Sequence, residues 1–186
     1  MFSHTLRRLL NSFAATPVAS RVWLLLALPA LVWAGPQDGQ VAAGSANISS
    51  SGTRTDIVQS SERAVINWGG FSIGEGEVVQ FLQPSARSVT LNRVTGGEGS
   101  RIAGDLLANG HVMLINPNGI AFTSTAKIDV GSLTATTADI ADSDFMAGRH
   151  VFSDAPANSM VINAGRITVR DAGLAHSWRR TCATRA

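Results

Sequence analysis

Few residues of this chain are equipped for bond-making chemistry. Glu98, Asp105 and Asp129 are scattered singly, whereas Asp139, Asp142 and Asp144 share the segment Ala138-Asp139-Ile140-Ala141-Asp142-Ser143-Asp144-Phe145. Three carboxylates so spaced offer oxygen ligands to a hard cation, but the segment lacks the glycine and distal glutamate of an EF-hand, and a solvated acidic loop is expected. Gly96-Gly97-Glu98-Gly99-Ser100-Arg101 opens like a calcium-binding nonapeptide, yet its aspartate is missing and no second copy follows. Histidines at 4, 111, 150 and 176 show no metal-ligand spacing, and the one cysteine, Cys182, has no partner within the chain for zinc or a disulfide. Asn47-Ile48-Ser49 fits the glycosylation pattern, but so short a match in a Ser-rich stretch reads as a loop. No catalytic residue, metal or cofactor is expected.

The scaffold that positions these side chains must be β. Of 186 residues, 45% are apolar and 15% charged, against about 25% charged in ordinary soluble domains. Lys127 is the only lysine and glutamate occurs only at 62, 75, 77 and 98, so the exposed faces of a helical bundle cannot be furnished. The formal charge of +2 is carried by the ends: without Arg7, Arg8, Arg21, Arg179, Arg180 and Arg185 the remainder is −4. A mildly acidic body argues against a nucleic-acid partner.

Residues 1–21 are basic without an acid, and Val22–Val32 form an apolar run of eleven that ends before Ala34-Gly35-Pro36. A spanning helix needs about 20 such residues, so 1–34 reads as a cleavable signal peptide with the cut after Ala34. The chain is therefore expected to leave the cytoplasm.

Beyond it, residues 35–56 read as weak strands or an N-terminal cap. Period-2 segments then recur at Arg63–Trp68, Glu77–Phe81, Ser88–Asn92, His111–Ile115, Gly119–Phe122, Lys127–Val130, Met160–Asn163 and Arg166–Val169. Turn formers such as Gly69-Gly70, Gly96-Gly97, Asn109-Gly110 and Asn116-Pro117-Asn118-Gly119 separate them. The apolar pairs Val112/Leu114, Ile120/Phe122 and Ile128/Val130 begin eight residues apart. Three such units make a coil of about 24 residues, the period of a parallel β-helix whose coils stack about 4.8 Å apart. Residues 57–173 are the expected β-helical body, and Gly35 to Gly173 would hold about six coils. The irregular basic stretch 174–186 reads as a frameshift or premature stop that leaves the last coil uncovered.

One ordered set of motifs is more specific. Asn67-Trp68-Gly69-Gly70-Phe71-Ser72-Ile73-Gly74, Val79-Gln80-Phe81-Leu82-Gln83-Pro84, Leu91-Asn92-Arg93-Val94-Thr95-Gly96-Gly97, Ser100-Arg101-Ile102-Ala103-Gly104-Asp105-Leu106-Leu107-Ala108-Asn109-Gly110 and Leu114-Ile115-Asn116-Pro117-Asn118-Gly119-Ile120 follow one another. From about Gly44 to about Gly173 the chain resembles the N-terminal secretion (haemagglutination-activity) domain of two-partner secretion exoproteins, the filamentous haemagglutinin family. The resemblance implies a right-handed parallel β-helix exported by the general secretory machinery of a Gram-negative bacterium. In the periplasm the POTRA domains of a cognate outer-membrane transporter would recognise it, and the product would be secreted or held at the cell surface. Members are adhesins, haemagglutinins, cytolysins or contact-dependent toxins, and a host-cell or glycan receptor would be bound by a C-terminal region missing here.

The resemblance implies that Asn116, Pro117, Asn118, Gly119 and Ile120 matter for secretion, and the residue types explain a turn there. Pro117 presets φ, Asn118 tolerates the next position and Gly119 closes the turn. Asn92, Arg93 and Arg101 flank the Gly-rich loop and are candidate partner contacts, as are Asn67, Trp68 and Phe71 if the aromatics are exposed. Two other functions fit a β-helix. A polysaccharide-acting enzyme would need Glu98, Asp105 or Asp129 to converge on a groove, and an adhesin would bind its receptor through this region directly.

Overall fold

The computed structural model describes residues 35–153, 155–170, 175–178 and 183–184. The expected signal peptide and Cys182 lie outside the described residues. Strands β1 (Gln40–Ala43), β2 (Ala46–Ser51), β3 (Arg54–Gln59) and β4 (Arg63–Trp68) come first. β5 (Val78–Leu82), β6 (Val89–Val94), β7 (Ser100–Ile102), β8 (Asp105–Ala108), β9 (His111–Ile115) and β10 (Ile120–Phe122) follow. After β11 (Lys127–Val130) and β12 (Ser132–Thr136) comes helix α1 (Asp142–Met146), and β13 (Val161–Asn163), β14 (Arg166–Val169), β15 (Ala175–Trp178) and β16 (Ala183–Thr184) complete the order.

These strands form a β-solenoid of three faces. The first face runs β1-β4-β6-β9-β12-β15, the second β2-β3-β5-β8-β11-β14 and the third β7-β10-β13-β16. From β3 onward, successive strands lie on different faces because each short segment ends at a turn former before it can extend. β9, β10 and β11 show this directly. Their apolar pairs Val112/Leu114, Ile120/Phe122 and Ile128/Val130 are all at most 2% exposed and join one core with Trp68, Phe71, Phe81 and Leu106. Each such side chain removed from water stabilises the fold by roughly 1.5–3 kcal/mol.

Between the opening strands β3 and β4 and the closing strands β14, β15 and β16 lie three rungs, β5–β7, β8–β10 and β11–β13. That is about three turns rather than the six expected from length. Arg54, Val78, Asp105, Lys127 and Arg166 occupy one column of the second face, so successive rungs take 24, 27, 22 and 39 residues. The longest interval holds an excursion from Thr137 to Met160 that includes α1. Leading residues are also diverted, since β1 pairs antiparallel with β4 and β2 antiparallel with β3. These two strands cover the first edges of two faces, where parallel stacking would otherwise begin with unpaired backbone. β3 already belongs to the parallel stack, so the antiparallel cover ends at Ser51. At the far end, β15 pairs with β12 and β16 with β13, so strand backbone runs into the stretch expected to be irregular. Parallel pairing is made by backbone groups and does not require alternating side chains.

Across β4, β6 and β9 the first face is buried on both sides. Its inner residues Ile66, Trp68, Val94 and Leu114 belong to the solenoid core. Its outer residues Val65, Leu91, Met113 and Ile115 form a second cluster with Ile140 and Phe145 of the excursion.

Candidate recognition surface

The corner between the first and third faces carries the expected turn. Asn116, directly after β9, is fully buried. Its Nδ2 donates to the Glu98 carbonyl at 3.0 Å and to Ser100 Oγ at 2.9 Å, both on the preceding rung. Its backbone N–H donates to the Thr136 carbonyl of the following rung at 3.1 Å, and its Oδ1 accepts from the Asn118 N–H at 2.9 Å. One residue, through its side chain and its backbone N–H, thus ties three levels together, and a buried amide so satisfied rigidifies its surroundings. Gly119 N–H donates to the Asn116 carbonyl at 3.0 Å, which closes a β-turn over Pro117 and Asn118. Gly119 itself takes φ +107°, a conformation L side chains rarely adopt, and a Cβ there would lie 3.1 Å from the Met160 carbonyl. Ile120 is 2% exposed and packs inward, whereas Asn118 is exposed and reaches back with Nδ2 to the Gly96 carbonyl at 2.8 Å. Gly96 is needed for close approach, because a Cβ on it would lie 2.0 Å from the Gly69 carbonyl of the rung before.

The six expected partner contacts divide. Trp68 and Phe71 are each 1% exposed and meet edge to face, with ring centroids 5.5 Å apart, so as folded they are core and not surface anchors. Asn92 is also fully buried: it accepts from Trp68 Nε1 at 3.0 Å and donates to the Met113 carbonyl at 3.3 Å. A polar residue within an alternating strand reads as solvent-facing, but here it satisfies the indole N–H. Arg93 is committed to its own chain. It donates from Nε to Asp139 at 2.8 Å, from Nη1 to Asp142 at 2.6 Å and Asn67 at 3.3 Å, and from Nη2 to the Ile140 carbonyl. Burial would lower its pKa, but hydrogen bonds and the charges of Asp139 and Asp142 more than offset this, and the net direction is upward. Asn67 is half-buried in the same cluster. Arg101 alone of the six presents an exposed side chain, on the outward side of β7.

The acidic segment is likewise structured. Asp139 and Asp142 hold Arg93, and Asp144 accepts from Arg149 at 2.5 Å. The carboxylates considered for catalysis do not converge: Asp129 pairs with Arg170 at 3.0 Å on the second face, where Asp105 stacks in register beside Lys127, while Glu98 is exposed at the corner. Asn47-Ile48-Ser49 lies in β2 and not in a loop. Contrary to the expectation that hydrolase signatures are absent, Gly70-Phe71-Ser72-Ile73-Gly74 spells the Gly-x-Ser-x-Gly pattern. No helix follows it to make a nucleophile elbow, and Ser72 Oγ accepts from the Arg101 N–H at 3.1 Å. The sequence reading also assigns no role to Gln83, whose Nε2 donates to Ser88 O, Thr90 Oγ1 and His111 O while its Oε1 accepts from Gly110 N. No local pattern announces it, because its partners Gly110 and His111 lie 27 and 28 residues onward.

The architecture defined by these contacts is a β-solenoid whose corners are locked by buried amides. A family model, the TPS (two-partner secretion) secretion domain, matches residues 34–177, and the chain belongs to that family. The crystallised HMW1 secretion domain of Haemophilus influenzae is similar, with a TM-score of 0.73 and 38% identity, over 77% of this chain and 39% of that one. A heme/hemopexin-binding protein of Haemophilus influenzae is 48% identical over 105 residues, 56% of this chain and 12% of that protein. Another protein of that name and species is 42% identical over 106 residues. The chain thus spans about an eighth or less of the curated relatives it matches. Its role is that of a secretion signal for a TPS exoprotein.

Proposed function

We propose that this domain is exported to the periplasm by a leader cleaved after Ala34 and is then read by the POTRA domains of a cognate outer-membrane transporter, with the Asn116–Ile120 corner shaping the surface that is read. The observation that carries this reading is the corner itself. Asn116 and Gly119 are buried and fix a turn on which only Asn118 is fully exposed, with Glu98 and Arg101 exposed on the rung beside it. The buried members set shape and the exposed ones supply contact. A protein named for heme/hemopexin binding and one described as a secretion domain are both similar to this chain, which supports a common route of release over a shared ligand. The reading is non-enzymatic, and the separated placements of Asp105, Asp129 and Glu98 favour it over glycan cleavage. A receptor-binding activity would belong to further coils of a longer exoprotein.

The test is co-expression of the full chain with candidate two-partner outer-membrane transporters, followed by assay of the culture medium. Gly119→Val should abolish release, and Arg101→Glu, which leaves the core untouched, should reduce it several-fold while the melting temperature stays unchanged. Release of Gly119→Val at the wild-type level would remove the corner from the account.

A further inference from the structure

At the start of the described chain, Gly35, Pro36 and Gln37 line a cleft of about 190 Å³ together with Thr55, Glu77 and Val79. Gln37 is fixed there, since its N–H donates to the Gly70 carbonyl at 2.8 Å and its carbonyl accepts from the Gly69 N–H at 3.0 Å. Glu77 is fixed too: its Oε2 accepts from the Gly74 N–H at 2.7 Å. A Cβ built on Gly35 would lie 3.9 Å from that same Glu77 oxygen.

In the uncut chain the Gly35 nitrogen is an amide joined to Ala34. Hydrolysis of that bond by water places a hydroxyl on the Ala34 carbonyl carbon and leaves a primary amine on Gly35, which takes up a proton at neutral pH. Because Gly35 bears no side chain, rotation about its Cα–C bond carries the freed nitrogen into the position of the missing Cβ. The C–N and C–C bonds are nearly equal in length, so the ammonium arrives within ion-pair distance of Glu77 Oε2. We propose that Glu77 is the receptor for the α-ammonium created by leader removal, so that cleavage itself completes the N-terminal cap. The proposal rests on cleavage after Ala34 and is independent of how the transporter reads the corner.

The first measurement is the intact mass of the chain recovered from the periplasm of a host without the transporter: it should begin at Gly35, and any other first residue overturns the proposal. The second compares four processed chains in guanidinium unfolding, with Gly35 free or acetylated and with Glu77 or Glu77→Gln. Glutamine keeps an oxygen for the Gly74 N–H, so the variant retains that bond. Acetylation should lower the folding equilibrium constant about threefold beside Glu77 and leave it unchanged beside glutamine. An NMR titration of the Gly35 amine should show a higher pKa beside Glu77 than beside glutamine. Equal effects in both backgrounds, or none in either, overturn the pairing even if the chain is secreted normally.

Discussion

The solenoid interior and the outer side of its first face are both apolar, yet they are built by opposite means. Inside, every rung contributes residues from strands of period two, and each neighbour lies one rung away, as with Leu106 and Ile128. Outside, Val65, Leu91 and Met113 stack in one column, but the residue that covers them, Phe145, comes from a helix inserted far along the chain. The interior is made by repetition and the outer cluster by a single excursion. Repetition spreads stability over many equivalent contacts. An excursion concentrates it in a few fasteners, here Phe145 and Arg93.

That contrast can be broken at three places. The largest effect belongs inside: Trp68→Ala removes a fully buried indole and leaves Asn92 Oδ1 without its donor, so a loss of about 3–5 kcal/mol is expected in guanidinium unfolding. A loss below about 1.5 kcal/mol would mean that the core relaxes as easily as a surface. Next, Phe145→Ala should act locally. It removes the fully buried ring that caps the outer cluster and lies 5.5 Å from the Arg63 guanidinium carbon. Protease cutting between 137 and 160 should rise at least tenfold, matching about 2–4 kcal/mol of local opening, while the rung strands keep their hydrogen-exchange protection. Uniform loss of protection would show that excursion and rungs form one cooperative unit.

The smallest effect is at the fastener. Arg93→Met should cost about 1–3 kcal/mol, and Arg93→Lys should recover less than half of it, because an ammonium cannot reach two carboxylates and a carbonyl in one plane. The pH dependence has a definite sign. With its folded pKa raised, Arg93 contributes fully below its unfolded pKa and loses the contribution only as pH rises through the folded value, in strong alkali. Titration of the guanidinium should therefore leave the melting temperature flat between about pH 6 and 9. A slope there that vanishes in Arg93→Met would contradict this.

The repeat that builds the interior was also what made it legible. His111–Ile115 and Lys127–Val130 coincide with β9 and β11, and the eight-residue steps from Val112 to Ile120 to Ile128 carry the chain from one face to the next. β7, β8 and β12 escaped, because Ser100–Ile102 is three residues long, Asp105–Ala108 begins at a glycine-bounded corner and Ser132–Thr136 is rich in Thr and Ala. The Asn116 turn could be read from its residue types, whereas its three inter-rung bonds could not, since Glu98, Ser100 and Thr136 are distant in sequence. Arg93 beside a Gly-rich loop looked free for a partner. Its acidic partners lie 46 and 49 residues onward, and no local pattern announces such a meeting. The count of six coils failed for a related reason, as division by 24 does not see an excursion.

The interval of 39 residues has a practical meaning. Lys127–Val130 and Arg166–Val169 remain paired residue for residue across it, so the stack tolerates extra chain at this level without slipping. Residues 147–151 of the same loop are exposed. A foreign peptide spliced there would be displayed outside the first face, beside Arg63 of the opening strand β4, and would travel wherever the solenoid is carried.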